Sequence, residues 1–446
     1  MELNNKKISV IGMGRTGLAT ANFLAARGAD VTLTDQKERV RLLENKLKDL
    51  NPSVRTTFGS SSPAPDADMV VLSPGFDINS PLLDSSRERG IEIISEIELA
   101  CRFNAAPIIA VTGTNGKTTT TTLIGEILKQ AGKKIVIGGN IGVPFISLIN
   151  DEPRDFTVLE VSSFQLEGIK QFKPRIGVIL NITPDHLNRH KTMDCYASLK
   201  GRVALNQTED DFLVLNHDDP IALDAGRGKR ARKNYFSTSA EVDAGAFLEN
   251  GTLFLRQGGK KQALCSASEL KPAMQWQVEN VLAAAAAATL AGVSANAIAE
   301  TIKNFSGLEH RLEWVRKFHG VDFVNDSKGT NVGSAQKSLK SFDQPIILIA
   351  GGQDKGSDFS PLKDLLKAKV KHLVLIGEAK TKIRKLLNGS FSCEEAGSLE
   401  MAVNCAVRKA AAGDVILLSP ACASFDMFKD YEDRGRQFKA IVNNLC

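Results

Sequence analysis

The sequence predicts an α/β protein of three consecutive parallel-sheet domains, and three observations carry that expectation. Short apolar runs rich in Val, Ile and Leu alternate with amphipathic helical stretches, the pattern of βαβ units. The pattern restarts twice, after about residue 97 and after Phe305-Ser306-Gly307. The chain has 446 residues, room for two to four domains at roughly 100–200 residues each.

Ile8-Ser9-Val10-Ile11 reads as a strand, Gly12-Met13-Gly14-Arg15-Thr16-Gly17 as a turn, and the segment with Leu18, Phe23 and Leu24 as a helix stopped by Gly28. Val31-Thr32-Leu33-Thr34 is the next strand and ends in Asp35, which makes the opening Rossmann-like. Strands at 68–72, before Ser73-Pro74-Gly75, and at 90–94 complete a first domain, 1–97. A central domain, 98–306, begins with a strand at 107–111 that runs into Thr112-Gly113-Thr114-Asn115-Gly116-Lys117-Thr118 and a helix. Strands at 157–160 and 176–180 and an Ala-rich helix at 281–291 give it a parallel sheet of the P-loop ATPase type. The last domain, 307–446, is Rossmann-like again, with strands at 345–350, 372–377 and 414–418 separated by helices. The basic stretch 226–233 reads as a solvated loop.

Composition narrows the function. Hydrophobic residues are 43% and charged residues 24%, a balance that excludes a disordered or low-complexity chain. A net charge of +5 is too slight to imply nucleic acid as a partner. Seven cysteines without a C-x-x-C pair read as reduced thiols of a cytoplasmic protein, not as zinc ligands. The N-terminal residues lack the apolar core of a signal peptide, and the longest weakly polar run, 281–293, is too short to span a bilayer. Neither export nor a membrane partner is expected, and the chain is expected to act as a monomer.

The strongest motif is the turn Gly113 to Thr118 between strand and helix. Backbone N–H groups there would cradle phosphates, Lys117 would reach the terminal ones and Thr118 would ligate magnesium. Val111 stands where the strict G-x-x-x-x-G-K-[ST] pattern has its first glycine, so the loop is a variant. Gly12-x-Gly14-x-x-Gly17 with Asp35 fits a dinucleotide site, a sugar-nucleotide site or a tight helix-packing turn. Glu160 ends one strand, Thr183-Pro184-Asp185-His186 follows the next, and Lys200 lies on a helix. Strand ends in an open α/β sheet converge on the ligand crevice, so Glu160 and His186 are expected to face the same phosphates. The Gly12 fingerprint alone would suit an NAD-dependent dehydrogenase, and the Gly113 loop alone a nucleotide-gated binding protein.

Thr112 to Thr119, Gly138-Gly139-Asn140-Ile141-Gly142, Asp185-His186, His310-Arg311, Asn325-Asp326-Ser327-Lys328-Gly329-Thr330-Asn331 and Ser419-Pro420-Ala421-Cys422-Ala423-Ser424-Phe425-Asp426 together resemble the Mur ligases of bacterial cell-wall synthesis. The resemblance spans essentially the whole chain, in the family's order and spacing. It implies ATP-dependent amide ligation through an acyl phosphate, with UDP-N-acetylmuramoyl-L-alanine as acceptor and D-glutamate as the incoming amino acid. It assigns ATP to Gly113, Thr114, Asn115, Gly116, Lys117, Thr118, Thr119, Asn280, Arg311 and Asp326. Lys117, Glu160, His186 and Lys200 become catalytic, with Thr118 and Glu160 at one Mg²⁺ and His186 and a carbamylated Lys200 at a second. The UDP end falls to Gly14, Arg15, Thr16, Asp35, Ser73, Gly75 and Asn140, and D-glutamate to Lys328, Thr330, Lys355, Ser424, Phe425 and Tyr431. Gln277 stands where the family commonly has asparagine, and Tyr431 where it often has phenylalanine. The D-N-P-R-type element of the diamino-acid-adding member is missing from the last domain, the similar Asp151-Glu152-Pro153-Arg154 lying in the middle one. The N-terminal layer separates the chain from folylpolyglutamate synthases.

Overall fold

The computed structural model describes residues 2–37, 47–387 and 391–445. Its first sheet comprises β1 (Lys7–Ile11), β2 (Asp30–Asp35), β3 (Arg55–Phe58), β4 (Met69–Leu72) and β5 (Glu92–Ser95), all parallel, in the order β3-β2-β1-β4-β5. The chain changes direction across the sheet between β1 and β4. The Gly12 turn and Ser73 follow these two strands, at the switch point where such sheets take their ligands.

The second sheet has nine strands: β6 (Ile108–Thr112), β7 (Ile135–Gly139), β8 (Phe156–Glu160), β9 (Ile176–Ile179), β10 (Phe212–Asn216), β11 (Arg232–Ser237), β12 (Gly245–Glu249), β13 (Thr252–Gln257) and β14 (Lys260–Ser266). Their order is β14-β13-β12-β11-β10-β9-β6-β8-β7. All five residues of β6 are buried, as a central parallel strand covered on both faces requires. The antiparallel run β12 to β14 is an addition that the sequence reading did not contain. The basic stretch 226–233 is not simply a loop, because Arg232 and Lys233 open β11 and pair with Phe212 and Leu213 of β10. Arg227 and Arg230 instead form exposed ion pairs with Asp224 and Glu209.

The third sheet comprises β15 (Glu313–Phe318), β16 (Val321–Asn325), β17 (Ile346–Gly351), β18 (Val370–Ile376), β19 (Cys393–Glu395) and β20 (Val415–Leu418), in the order β15-β16-β20-β17-β18-β19. Among the described residues, only β15 runs antiparallel, as a hairpin with β16.

The chain forms two compact units, Met1–Ser266 with Glu279–Ile302, and Ala267–Val278 with Lys303–Cys446. The first two sheets therefore share a unit. One apolar cluster joins Val10, Leu33 and Ile94 to Ala110, Leu159 and Ile179. Buried Glu98 reinforces it by accepting N–H bonds from Lys170, Gln171 and Phe172 at 2.8–2.9 Å. Buried Glu96 accepts from the Ile146 N–H at 2.7 Å, and burial pushes its carboxyl up to about 7. Residues 267–278, read from sequence as part of the central domain, group with the third sheet, where Trp276 packs on Phe342 with ring centres 4.8 Å apart. Among the described residues, no helix is long and apolar enough to cross a membrane.

Candidate active site

The loop after β6 is shaped by two glycines. Gly113 has φ +147° and Gly116 +85°, conformations that side chains resist. A Cβ on Gly116 would lie 2.2 Å from the Asn280 side-chain oxygen, so Asn280 is packed directly against the loop. Asn181, after β9, holds the loop from the other side. Its side-chain oxygen accepts the Asn115 N–H and its carbonyl the Thr114 N–H, both at 2.8 Å. A single asparagine past a strand carries no sequence motif, so Asn181 was missed. The helix Lys117–Gln130, with Thr119 buried in its first turns, begins at this loop. Its N-terminal N–H groups and dipole favour an anion there.

Lys117 Nζ donates to the Gly113 and Thr114 carbonyls, both at 2.8 Å. Lys200, on the helix Met193–Gly201, donates to the same Gly113 carbonyl at 2.7 Å. Its Nζ sits 4.5 Å above the Tyr196 ring, and burial, aided by the charge of Lys117, holds its amine well below the ordinary lysine value. The Thr118 hydroxyl and the Asn140 amide each donate to one Glu160 oxygen at 2.7 Å. Hydroxyl, amide and carboxylate oxygens are the donor set a hard cation such as Mg²⁺ takes, so these residues fit the ion the sequence implies. His186 is half exposed, 3.6 Å from Asp185 and 5.0 Å from the Phe164 ring centre. Among the described residues no hydrogen bond joins it to Glu160 or Lys200, so the expected convergence of Glu160 and His186 is not seen as contact.

A cavity of about 560 Å³ opens at the end of the first sheet. Gly14, Arg15, Thr16, Asp35, Ser73, Gly75 and Asn140 all line it, together with Gln36, Lys37, Ser61 and Gln165, which the sequence reading did not single out. Gly12 and Gly17 serve packing, since a Cβ on Gly17 would stand 1.7 Å from the Gly12 carbonyl. Among the described residues, nothing lies within 4 Å of a would-be Cβ on Gly14, which leaves room for a ligand. Asp35 accepts the Met13 N–H at 2.7 Å and the Lys37 N–H at 2.9 Å, so it also fastens the turn. Asn140 lines the cavity and holds Glu160, linking the two ends of the site.

In the second unit, β16, β20 and β17 are neighbours, and the loops leaving them carry five of the six residues expected at D-glutamate. Lys328 Nζ stands 3.6 Å from the Tyr431 ring centre, and Lys355 Nζ 5.2 Å from that of Phe425, a ring 61% exposed. Ser424 is buried and Thr330 half-buried. The loops are stitched by Ala421 N–H to the Gly329 carbonyl at 2.8 Å and Gln353 N–H to the Ala423 carbonyl at 2.9 Å. Fully buried Arg434, unmarked in sequence, donates to Ser327 Oγ at 2.9 Å and to the Ser327 carbonyl at 2.8 Å. Asp326 is buried, accepts from Ser338 and Ser419 hydroxyls at 2.6 and 2.8 Å, and is pushed up to about 6 by that burial. Gln277 donates to the Arg311 carbonyl at 3.3 Å.

Family models match three successive segments: the Mur ligase MurD-like N-terminal domain at residues 6–95, the Mur ligase middle domain at 111–288, and the Mur ligase glutamate ligase domain at 310–422. The chain belongs to the Mur ligase family. Mur ligases perform ATP-dependent amide ligation on peptidoglycan precursors. Proteins named "UDP-N-acetylmuramoylalanine--D-glutamate ligase" from Thermoanaerobacter sp. (strain X514) and Geotalea uraniireducens are 44% and 47% identical to this Mur ligase, over all of its chain and 100% and 99% of theirs. Solved structures share the fold. A pseudomurein peptide ligase type C from Methanothermus fervidus aligns at 20% identity with a TM-score of 0.60, covering 98% of this chain and 99% of its own. MurF ligase from Thermotoga maritima in complex with ADP aligns at 15% identity and 0.60, covering 99% and 96%.

Proposed function

We infer that this Mur ligase joins D-glutamate to UDP-N-acetylmuramoyl-L-alanine at the expense of ATP. The observation that carries the reading is the cavity in which all seven residues expected at the UDP end meet, connected through Asn140 to Glu160 and Thr118 beside the Gly113 loop. In this reading residues 1–97 bind the UDP end, 98–306 hold ATP and the reacting groups, and 307–446 bind the amino acid. The enzyme works in the cytoplasm as a monomer, with no nucleic-acid or membrane partner.

The alanyl carboxylate attacks the terminal phosphorus of ATP, forming a C–O–P bond as ADP leaves. The glutamate amine then attacks the acyl carbon, the C–N bond forms, phosphate departs and the amine loses a proton. The protein's part is positioning and charge neutralisation. The loop N–H groups and Lys117 take the phosphate oxygens, with Lys117 giving up its two carbonyl partners. Magnesium, when bound, neutralises phosphate and carboxylate oxygens, with Thr118 and Glu160 holding one ion and His186 and Lys200 a second. Burial lowers the proton affinity of the Lys200 amine and so favours the free amine, the form that adds carbon dioxide: an N–C bond forms, one proton leaves, and a carbamate anion results. Lys328, Thr330, Lys355, Ser424, Tyr431 and the backbone at Phe425 surround the two glutamate carboxylates, and the D hand aims the amine at the acyl carbon.

Phosphate release with the UDP-muramoyl substrate against a panel of D- and L-amino acids tests the assignment. D-Glutamate is expected to turn over alone. Equal turnover of L-glutamate, or preference for a neutral or basic amino acid, overturns it and leaves the broader ligase.

A further inference from the structure

At the far edge of the third sheet, three side chains from separate elements meet: His372 of β18, Glu394 of β19 and Cys405 of the helix Leu399–Lys409. We propose that they form a binding site for a divalent cation of the zinc class. One donor atom from each lies within 4.8 Å of the others. The Cys405 thiol donates to one Glu394 oxygen at 2.9 Å, and the other Glu394 oxygen is 3.7 Å from His372 Nε2. Ligand atoms around tetrahedral zinc stand about 3.5 Å apart, so small side-chain shifts close the site.

An independent observation points to a ligand. His372 is 3% exposed, and among the described residues its Nε2 is a buried polar atom without a hydrogen-bond partner. Its Nδ1 lies 2.6 Å from the Ser392 hydroxyl. In the tautomer that donates Nδ1–H to Ser392, Nε2 turns a lone pair toward the Glu394 carboxylate 3.7 Å away, an arrangement that repels until a cation lies between them. A histidine steadied through its other nitrogen is the usual form of a metal ligand.

Imidazole and thiolate select zinc-class ions over magnesium. Glu394 is 41% exposed on its side chain, which leaves an entry path and a fourth position for water. On binding, the Cys405 S–H bond breaks, a sulfur–metal bond forms and one proton goes to solvent. Glu394 exchanges Lys409, now 2.7 Å away, for the ion. The ion would tie the three-residue edge strand β19 to β18 and the helix. C-x-x-C spacing could not reveal such a site, because its ligands come from three separated elements.

Titrating the full chain with Co²⁺ alone, in excess Mg²⁺, tests this. One Co²⁺ per chain is expected, with a thiolate-to-cobalt charge-transfer band, release of one proton per ion, and displacement by Zn²⁺. The band should vanish in Cys405→Ser and His372→Gln and persist in Cys393→Ser. Glu394→Gln, on an exposed side chain, should weaken binding at least about tenfold without unfolding the protein, and Lys409→Ala should tighten it. No band in the wild type, or a band that survives Cys405→Ser, overturns the proposal.

Discussion

Two pairs of lysines serve this enzyme in opposite ways. Lys117 and Lys200 meet on one backbone carbonyl, in the loop after β6, where each hydrogen bond fixes a direction. Lys328 and Lys355 lie on aromatic faces, where attraction to the ring is broad and tolerates sliding. The Gly113 loop thus fixes two ammonium groups by directional bonds to backbone, whereas Lys328 and Lys355 each also meet a ring face, whose attraction depends little on direction.

Substitutions break this comparison at points of decreasing weight. Lys200→Ala should lose at least about a thousandfold in kcat, since it removes a group acting at the reacting centre. Short carboxylic acids should restore part of the phosphate release by standing in for the carbamate. Absence of rescue at any concentration would make Lys200 a plain phosphate contact. Lys355→Ala should raise KM for D-glutamate about 10- to 150-fold, the loss of a charge-assisted contact of roughly 1.5–3 kcal/mol, with ATP affinity unchanged. A fall in kcat at saturating glutamate would instead make Lys355 as directional as Lys117.

Asp35→Ala should raise KM for the UDP substrate about tenfold with kcat nearly constant, because binding remote from the reacting bond is uniform. An unchanged KM removes Asp35 from the UDP site and leaves it only the Met13 and Lys37 N–H groups to hold. The smallest effect on turnover is expected from Glu96→Gln, which should leave kcat and KM alone and change only the pH dependence of stability. Glu96 titrates near 7 when folded against an ordinary 4.5, so between those values the native state binds the extra proton. Stability therefore falls as pH rises from about 4.5 to about 7 and levels off above, by roughly 3 kcal/mol for a shift of this size. Denaturant unfolding of both proteins near pH 5 and near pH 8 should show that slope in the wild type and less of it in the variant; parallel slopes would refute the assignment.

The strand and turn around Gly113 were legible in sequence because several local signals agree there. Ile108 to Thr112 is apolar throughout, and Gly113, Gly116 and Lys117 follow in a pattern that only a strand–loop–helix satisfies. The antiparallel run was not legible. Lys260, Lys261 and Gln262 of β14 are exposed, and an edge strand with a polar face resembles a loop. β3 is exposed along most of its length and hides for the same reason. Asn181 and Arg434 act by holding backbone groups of loops distant in sequence, a role that depends on three-dimensional closeness and leaves no spacing to read. The grouping of 267–278 with the third sheet is likewise a packing outcome, set by Trp276 against Phe342.

The bonds of Lys117 to its own loop bear on inhibitor chemistry. Its ammonium donates to the Gly113 and Thr114 carbonyls and so braces the loop on its own backbone. A compound that occupies the neighbouring surface while leaving those two bonds intact need not carry a polyanionic phosphate mimic, the feature that most hinders passage through a cell membrane. An uncharged scaffold would then compete with the nucleotide by filling its space while Lys117 keeps its two carbonyl bonds.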